Sequence, residues 1–446
     1  VAVFFFCVFM ENVGGNFGFQ KKFRRIQMMK KQAAFLIALV MLAGCIFSLL
    51  GCSEKAEQGE IPLKQVNTDE NLYAEQGEIP LKLVNTDENL YAEHFKIERY
   101  EQGVNALTLY NGDMEISGKF LLVENDSTFT GEVEGWTKLE TPLTNTLVAS
   151  GPAMSLVGAV GGLSGVKLAE TMTWYIDSVN EAIENGEIIQ VGKLAPSASD
   201  PWQSEVVVMN RPELAICSAM LPINSKYVER KKEFEDNGIP YFLDESTNEN
   251  HVMGRTEWLK VMGLLFGQEE KAAELFDRQV EKYRSILNKL EEAQIDEKKS
   301  VAITYVTSKS VGYFRNPDDY IVGMLNAAGG VNVCPDGEKG ENSTSVSGEV
   351  YYSTLKEDVD IMLYNISLGG SKDSAIQGRI DSLIEWEKFK TFDVYKNNQI
   401  WVTERKLYQS MDCLADMMED MYRIMYEADV PDQLTFMHRL DLSQFD

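Results

Sequence analysis

Residues 268–298 contain neither glycine nor proline, and Ala272, Phe276, Val280, Tyr283, Leu287 and Leu290 recur at steps of three or four. That spacing puts them on one face of a single helix, on the order of 40 Å long at 1.5 Å per residue. A rod of this length has to be flanked by something that buries its apolar stripe. On both sides the chain offers the same material, short apolar runs alternating with helix-like stretches.

Before the rod, Thr146-Leu147-Val148-Ala149, Leu214-Ala215-Ile216-Cys217 and Ile239-Pro240-Tyr241-Phe242-Leu243 read as strands, with a charged helix at 225–237. After it come Val301–Val306, Val359–Tyr364 and Gln399–Val402, then a Met-rich helix from Met411 to Tyr426. Alternation of this kind indicates βα units with parallel strands. The methionines of the last helix read as core filling. The expected fold class is α/β, two Rossmann-like lobes joined by one long helix. A stiff connecting helix also predicts little domain movement when a ligand binds.

The leader is basic, then apolar. Lys30 and Lys31 precede Ala33–Leu50, and two segments fit a lipobox: Leu42-Ala43-Gly44-Cys45 and Leu49-Leu50-Gly51-Cys52. Cys52 is the expected lipidation site, because polar Ser53-Glu54-Lys55 follows it directly. A single membrane-spanning anchor is the competing reading, since the apolar stretch just reaches spanning length. Either places the body outside the cytoplasm. The residues before Met28 read as an over-extended start.

Residues 57–74, EQGEIPLKQVNTDENLYA, recur at 75–92 with only Gln65 replaced by Leu83. Two near-identical copies indicate a local duplication, not a solenoid. The first copy reads as a spacer, and the second as a possible source of residues for the first strand. Alternating Phe95–Tyr100 and Ala106–Tyr110, with a turn at Asn111-Gly112-Asp113, add strands ahead of the first lobe. The expected organisation is therefore 1–51 start and signal peptide, 52–93 duplicated tether, 94–267 first lobe, 268–298 connecting helix and 299–446 second lobe.

Composition narrows function. Residues 1–51 carry six cations against Glu11, a net of +5, so the remainder holds −32 of a total of −27. A body this acidic repels phosphate backbones, which argues against nucleic acid as a partner. Six cysteines show no C-x-x-C spacing, and three histidines (His94, His251, His438) lie far apart, a poor stock for a bare metal site. No G-x-S-x-G elbow, P-loop or strand-borne G-x-G-x-x-G occurs, so catalysis is not expected. Gly158-Ala159-Val160-Gly161-Gly162 falls in a helix-like stretch and reads as a packing surface.

Several segments carry a resemblance. Val191-Gly192-Lys193, then Ser204-Glu205-Val206, then Arg211-Pro212-Glu213-Leu214-Ala215-Ile216 form one series. Ser347-Gly348-Glu349-Val350 followed by Lys356–Met362 forms its counterpart. Gly254-Arg255-Thr256-Glu257-Trp258 precedes the rod, and Tyr408-Gln409-Ser410 precedes the last helix. In order and spacing, over roughly residues 140–430, the chain resembles the helical-backbone (class III) periplasmic solute-binding proteins of ABC importers. The extra strands of 94–140 depart from that pattern. The resemblance implies a monomeric, non-catalytic receptor with no cofactor of its own. It would capture an iron chelate (an iron-siderophore), haem or a corrinoid such as cobalamin, and pass it to a permease and its ATPase. An extracellular sensor or adhesin on the same fold is the alternative, and an exported enzyme a more distant one.

Glu205 lies nine residues before Leu214, and Glu349 ten before Val359. An acidic residue at the start of an equivalent helix in each lobe suits the helix dipole. The resemblance further implies that both dock onto basic residues of the permease. Ligands of two-lobed α/β proteins sit outside the carboxyl ends of strands. This gives Ser150, Met220, Tyr313, Arg315, Asn365, Arg405 and Tyr408 as expected ligand contacts. The tyrosines would stack on a conjugated ligand and the arginines pair with its carboxylates. Met220, Tyr313 and Tyr408 are also candidates for axial contact with a ligand's metal centre.

Overall fold

A computed structural model describes residues 78–445, apart from 222–226, 296, 309–310, 341, 357–358 and 367–388. The leader, Cys52 and the first repeat copy lie outside the described residues.

The chain opens with a five-stranded sheet, β1 (Leu83–Thr86), β2 (Phe95–Tyr100), β3 (Val104–Tyr110), β4 (Ile116–Glu124) and β5 (Thr137–Thr141), in that spatial order. The first three pairings are antiparallel and β4–β5 is parallel. Thus the second repeat copy does supply a strand, β1. Period-two alternation sends Phe95, Ile97, Leu107 and Leu109 into the main core, while Val104, Ala106, Leu121 and Val123 form a small cluster on the other face.

The first lobe is a parallel sheet ordered β10-β9-β6-β7-β8, from β6 (Thr146–Ala149), β7 (Val166–Ala169), β8 (Ile189–Gln190), β9 (Leu214–Ser218) and β10 (Tyr241–Asp244). Its helices are α1 (Gly151–Val160), α2 (Asp177–Glu184), α3 (Ser204–Asn210), α4 (Val228–Asp236), α5 (Val252–Glu257) and α6 (Leu259–Leu265). The Gly158–Gly162 stretch ends α1: Gly161 caps it at φ 85°, and a Cβ on Gly162 would meet the Phe266 ring at 2.8 Å. The left-handed cap at Gly161 and close packing at Gly162 account for these two glycines.

The rod is α7 (Glu269–Ala293), 25 residues or about 37 Å. It stops short of Lys298 because Gln294 adopts the left-handed conformation (φ 46°) and donates its N–H to the Glu291 carbonyl. The second lobe follows with β11 (Ser300–Ser308), β12 (Val311–Arg315), β13 (Val331–Asn332), β14 (Glu338–Lys339), β15 (Ser343–Ser347), β16 (Ile361–Tyr364), β17 (Ile400–Thr403) and β18 (Met437–Arg439). Its helices are α8 (Tyr320–Ala327), α9 (Gly348–Lys356), α10 (Asp393–Lys396) and α11 (Leu414–Tyr426).

This sheet is mixed, ordered β14-β15-β12-β11-β16-β17-β18 with β13 beside β11. The β11–β16–β17 centre is parallel as expected, but β12 pairs antiparallel with β11 and β15. Residues 311–315, expected as a cleft loop, are therefore a strand. Their own alternation explains it: Gly312, Phe314 and Arg315 are buried while Val311 and Tyr313 are half-buried.

One apolar cluster runs through both lobes. It joins Met154 and Val157 of α1, Ala272, Phe276 and Val280 of α7, Val301 and Ile303 of β11, and Met417, Met418 and Met421 of α11. Each of these side chains is at most 5% exposed, so the methionines of α11 are core. The outer faces of the two lobe sheets have separate clusters, around Phe234 in the first and Phe389 in the second.

Candidate functional site between the lobes

The carboxyl ends of the strands from both lobes converge. Past β17, Arg405–Gln409 forms a short 3-10 turn that reaches the first lobe. The Gln409 side chain accepts the Tyr175 N–H (2.8 Å) and donates to the Thr173 carbonyl (3.0 Å), in the loop that follows β7. Arg405 Nη1 donates to the Tyr175 hydroxyl at 3.3 Å. Two residues further, the Met411 N–H donates to Ser155 Oγ of α1 at 3.0 Å, and the Met411 carbonyl accepts from Thr256 Oγ1 of α5 at 3.0 Å.

Tyr408 is the centre of the second-lobe rim. Its hydroxyl receives Asn365 Nδ2 (3.1 Å) and is in direct contact with Arg315 Nη2. Arg315 is 2% exposed and paired with Asp319 at 2.9 Å, itself buried. A buried cation is tolerated because a carboxylate matches it. Among the described residues, Arg315 Nε and the Tyr320 hydroxyl are buried without a hydrogen-bond partner. The Tyr320 ring packs edge-on to Tyr408 at 6.3 Å, and Arg255 lies over its other side, 4.4 Å from the centroid. Burial lowers the Arg255 guanidinium from its ordinary range.

The remaining expected contacts have other partners. Tyr313 stacks face to face on Tyr305, its cross-strand neighbour, at 4.7 Å. Met220 is 37% exposed in the turn after β9. Ser150 is an N-cap: its Oγ accepts the Ala153 N–H (3.3 Å) and donates to buried Asp244 (2.6 Å). Asp244 has its carboxyl pushed up by burial. So Arg315 and Asn365 both touch Tyr408, and Arg405 shares its turn. Ser150 lies beside that turn, since a Cβ on its neighbour Gly151 would meet Gln409 Cγ at 3.3 Å, while Tyr313 packs on Tyr305 and Met220 is exposed. The segments following β9, β11 and β16 in the chain, 222–226, 309–310 and 367–388, lie outside the described residues.

Tyr175, Asp319 and Tyr320 were not singled out from sequence, and Arg255 only as part of the Gly254–Trp258 segment ahead of the rod. Asp319 had a signal: an Asp just ahead of the apolar run Tyr320–Leu325 is an N-cap, and its Oδ1 does accept the Ile321 N–H at 2.9 Å.

The histidines are engaged elsewhere. His94 Nδ1 meets the Tyr110 carbonyl (3.1 Å), His251 accepts the Met253 N–H (3.1 Å), and His438 lies beside Glu404 (2.9 Å). Among the described residues no group of three or more His, Cys, Asp or Glu could hold a metal ion. A polar cavity of about 720 Å³ lies at the opposite, amino ends of β11, β16 and β17, lined by Ser300, Asp360 and Gln399. It is remote from the rim described here.

Glu205 and Glu349 are both exposed, each in the first turn of its helix, α3 and α9. Each helix leads into the strand that flanks its lobe's first strand, β9 beside β6 and β16 beside β11. The two glutamates thus occupy equivalent positions. Strand β16 begins at Ile361, two residues later than expected.

Residues 196–407 match the family model described as periplasmic binding protein. That match spans just under half of the chain. The fold is the class III architecture of two α/β lobes and a long helix. An uncharacterized lipoprotein of Methanocaldococcus jannaschii is 25% identical over 301 residues, covering 58% of this chain and 69% of the relative. An uncharacterized protein of the same organism is 23% identical over 197 residues, covering 44% of this chain and 56% of its own length. Among solved structures, a periplasmic binding protein from Veillonella parvula superposes with a TM-score of 0.50 at 16% identity, over 68% of this chain and 98% of that one. A periplasmic haem binding protein from Pseudomonas aeruginosa gives 0.48 at 14% identity, over 66% and 97%. At 16% identity the likeness to the Veillonella structure is one of fold. Among the described residues no helix is long and apolar enough to cross a membrane.

Proposed function

We propose that this chain is the extracytoplasmic receptor of an ABC importer, held to the membrane by lipid on Cys52. It takes an iron chelate, haem or a corrinoid between its lobes and presents it to a permease through Glu205 and Glu349. The observation that carries this reading is the convergence of strand ends from two lobes on one rim of tyrosines and guanidiniums around Tyr408, Arg405 and Tyr175. Aromatic faces stack on flat conjugated ligands, and guanidinium forks match carboxylates or hydroxamate-type oxygens. Because Arg315 is already matched by Asp319, its part is to fix the Tyr408 hydroxyl. Arg405, half-buried on the rim, is the cation nearer the ligand.

The test separates capture from delivery. The purified body is titrated with haemin, cobalamin and ferric chelates, following the absorption of each. One of them shifts, and Arg405→Ala weakens that binding about tenfold, the loss of one charge-assisted hydrogen bond. Glu205→Arg with Glu349→Arg leaves the affinity unchanged and abolishes uptake in cells. Uptake that survives the double reversal removes the docking assignment. Silence from all three ligand classes removes the ligand assignment.

A further inference from the structure

The second repeat copy does more than lead into β2; it is plugged into a socket. Glu257, fully buried, accepts the backbone N–H groups of Leu90, Tyr91 and Ala92, each at 2.8 Å. Glu249, 1% exposed, accepts those of Glu93 (2.8 Å) and His94 (3.0 Å). Lys260 and the Trp258 indole hold the two carboxylates from behind, at 2.6 and 2.9 Å. The Tyr91 ring stacks on His251 at 4.5 Å and meets Phe276 and Tyr283 edge-on. A Cβ on Gly254 would come within 2.9 Å of the Tyr91 carbonyl, so glycine is needed there for the segment to seat. Asn89 ties the segment to the Phe95 carbonyl (2.8 Å), and Asp87 pairs with Arg99 (2.7 Å).

The chemistry of this socket is general for backbone and specific for little else: five N–H groups, one tyrosine ring, one small buried Ala92. Everything it reads is present again eighteen residues earlier, as Asp69, Asn71, Leu72, Tyr73 and Ala74, followed by Glu75 and Gln76 with N–H groups of their own. The one difference between the copies, Gln65 against Leu83, falls at a position that is 44% exposed.

We propose that the Glu249–Glu257 socket accepts either copy, so that Asn71–Ala74 is an alternative occupant in the same chain. Exchange ejects the second copy as a closed loop of about eighteen residues, whose entropic cost grows only with the logarithm of its length. The directly connected copy remains the majority occupant, and the first takes over when the second is impaired. On the lipid-anchor reading, exchange shortens the chain between Cys52 and the body by eighteen residues, roughly 60 Å when extended. The exchange itself does not depend on that reading.

The experiment is a double-mutant cycle on the exported body carrying both copies, read by the thermal unfolding midpoint. Tyr73→Ala leaves the midpoint unchanged. Tyr91→Ala lowers it by a few degrees, because Tyr73 substitutes. The double variant falls at least about twice as far, because neither copy then has an anchor. Equal midpoints for Tyr91→Ala and the double variant, or two proteins that both fail to fold, overturn the proposal. A Tyr91→Ala protein that dimerises on gel filtration overturns the same-chain assignment, since the first copy would then be docking in a second molecule.

Discussion

The two lobes are built by the same βα rule, yet they bury charge in different places and for different ends. In the first, Glu249 and Glu257 are sunk beside the start of the connecting helix. There they are matched mainly by backbone N–H groups of the incoming chain. In the second, Arg315 and Asp319 are sunk under the rim and matched by each other, with Tyr408 laid over them. One arrangement holds a peptide and the other shapes a surface. The lesson is that βα periodicity determines where strand ends go, while the placing of a few buried ions determines what each lobe does there.

The comparison breaks most visibly at Asp319. Asp319→Ala leaves Arg315 buried without a counter-ion and removes the cap of α8, so chemical denaturation should report a loss of about 3–5 kcal/mol. Pairing it with Arg315→Met should recover most of that loss, while Tyr408, no longer pinned, binds ligand more weakly. If the single variant is neutral, the ion pair does not hold the rim.

At the first-lobe socket, Glu257→Gln keeps one acceptor oxygen but turns an amide N–H₂ toward two donors, either the Leu90 N–H and Lys260 or the Tyr91 and Ala92 N–H groups. A cost of about 2–3 kcal/mol follows from leaving buried donors unmatched. The effect should be confined to unfolding, with ligand titrations unaltered. A change in ligand affinity would mean that the two regions are coupled.

A smaller effect concerns Asp420 on α11, buried and held by the Phe436 N–H at 2.7 Å. Burial raises its carboxyl from 3.8 to about 6. Below about pH 4 both folded and unfolded chains keep that proton. Between pH 4 and 6 the unfolded chain ionises first, so stability contributed by the neutral acid falls as pH rises. Asp420→Asn, which can still accept the Phe436 N–H, should therefore gain on the order of 1 kcal/mol at pH 7. That advantage should vanish below pH 4 in unfolding curves recorded across the range.

Much of the scaffold was legible. Strands β6, β9, β11, β16 and β17 and the rod are uninterrupted periodic runs, and such runs carry their own assignment. The antiparallel β12–β15 insertion was not, because Val311-Gly312-Tyr313 follows a strand end almost at once and mimics a loop. The rod's last turn was misjudged because Gln294 has no helix-breaking signature. At the site, residue types could be nominated from loop positions, and Arg315, Asn365, Arg405 and Tyr408 do come together. The Arg315–Asp319 match could not be read, since it spans a strand end and a helix cap whose relative orientation is set by tertiary packing. Glu249 and Glu257 were equally silent: a carboxylate near a short helix looks solvated until the chain that covers it is placed.

The apolar cluster shared by α1, α7, β11 and α11 has a consequence for biosynthesis. A chain emerges amino end first, and the helix that closes this interior, Leu414–Tyr426, is made only after the first lobe and the connecting helix. Until then the side of α7 that packs on α11 lacks that partner, however complete the first lobe's own sheet is. Closure of the shared interior therefore awaits the methionines of α11: the lobe made earlier is completed by a helix of the lobe made later.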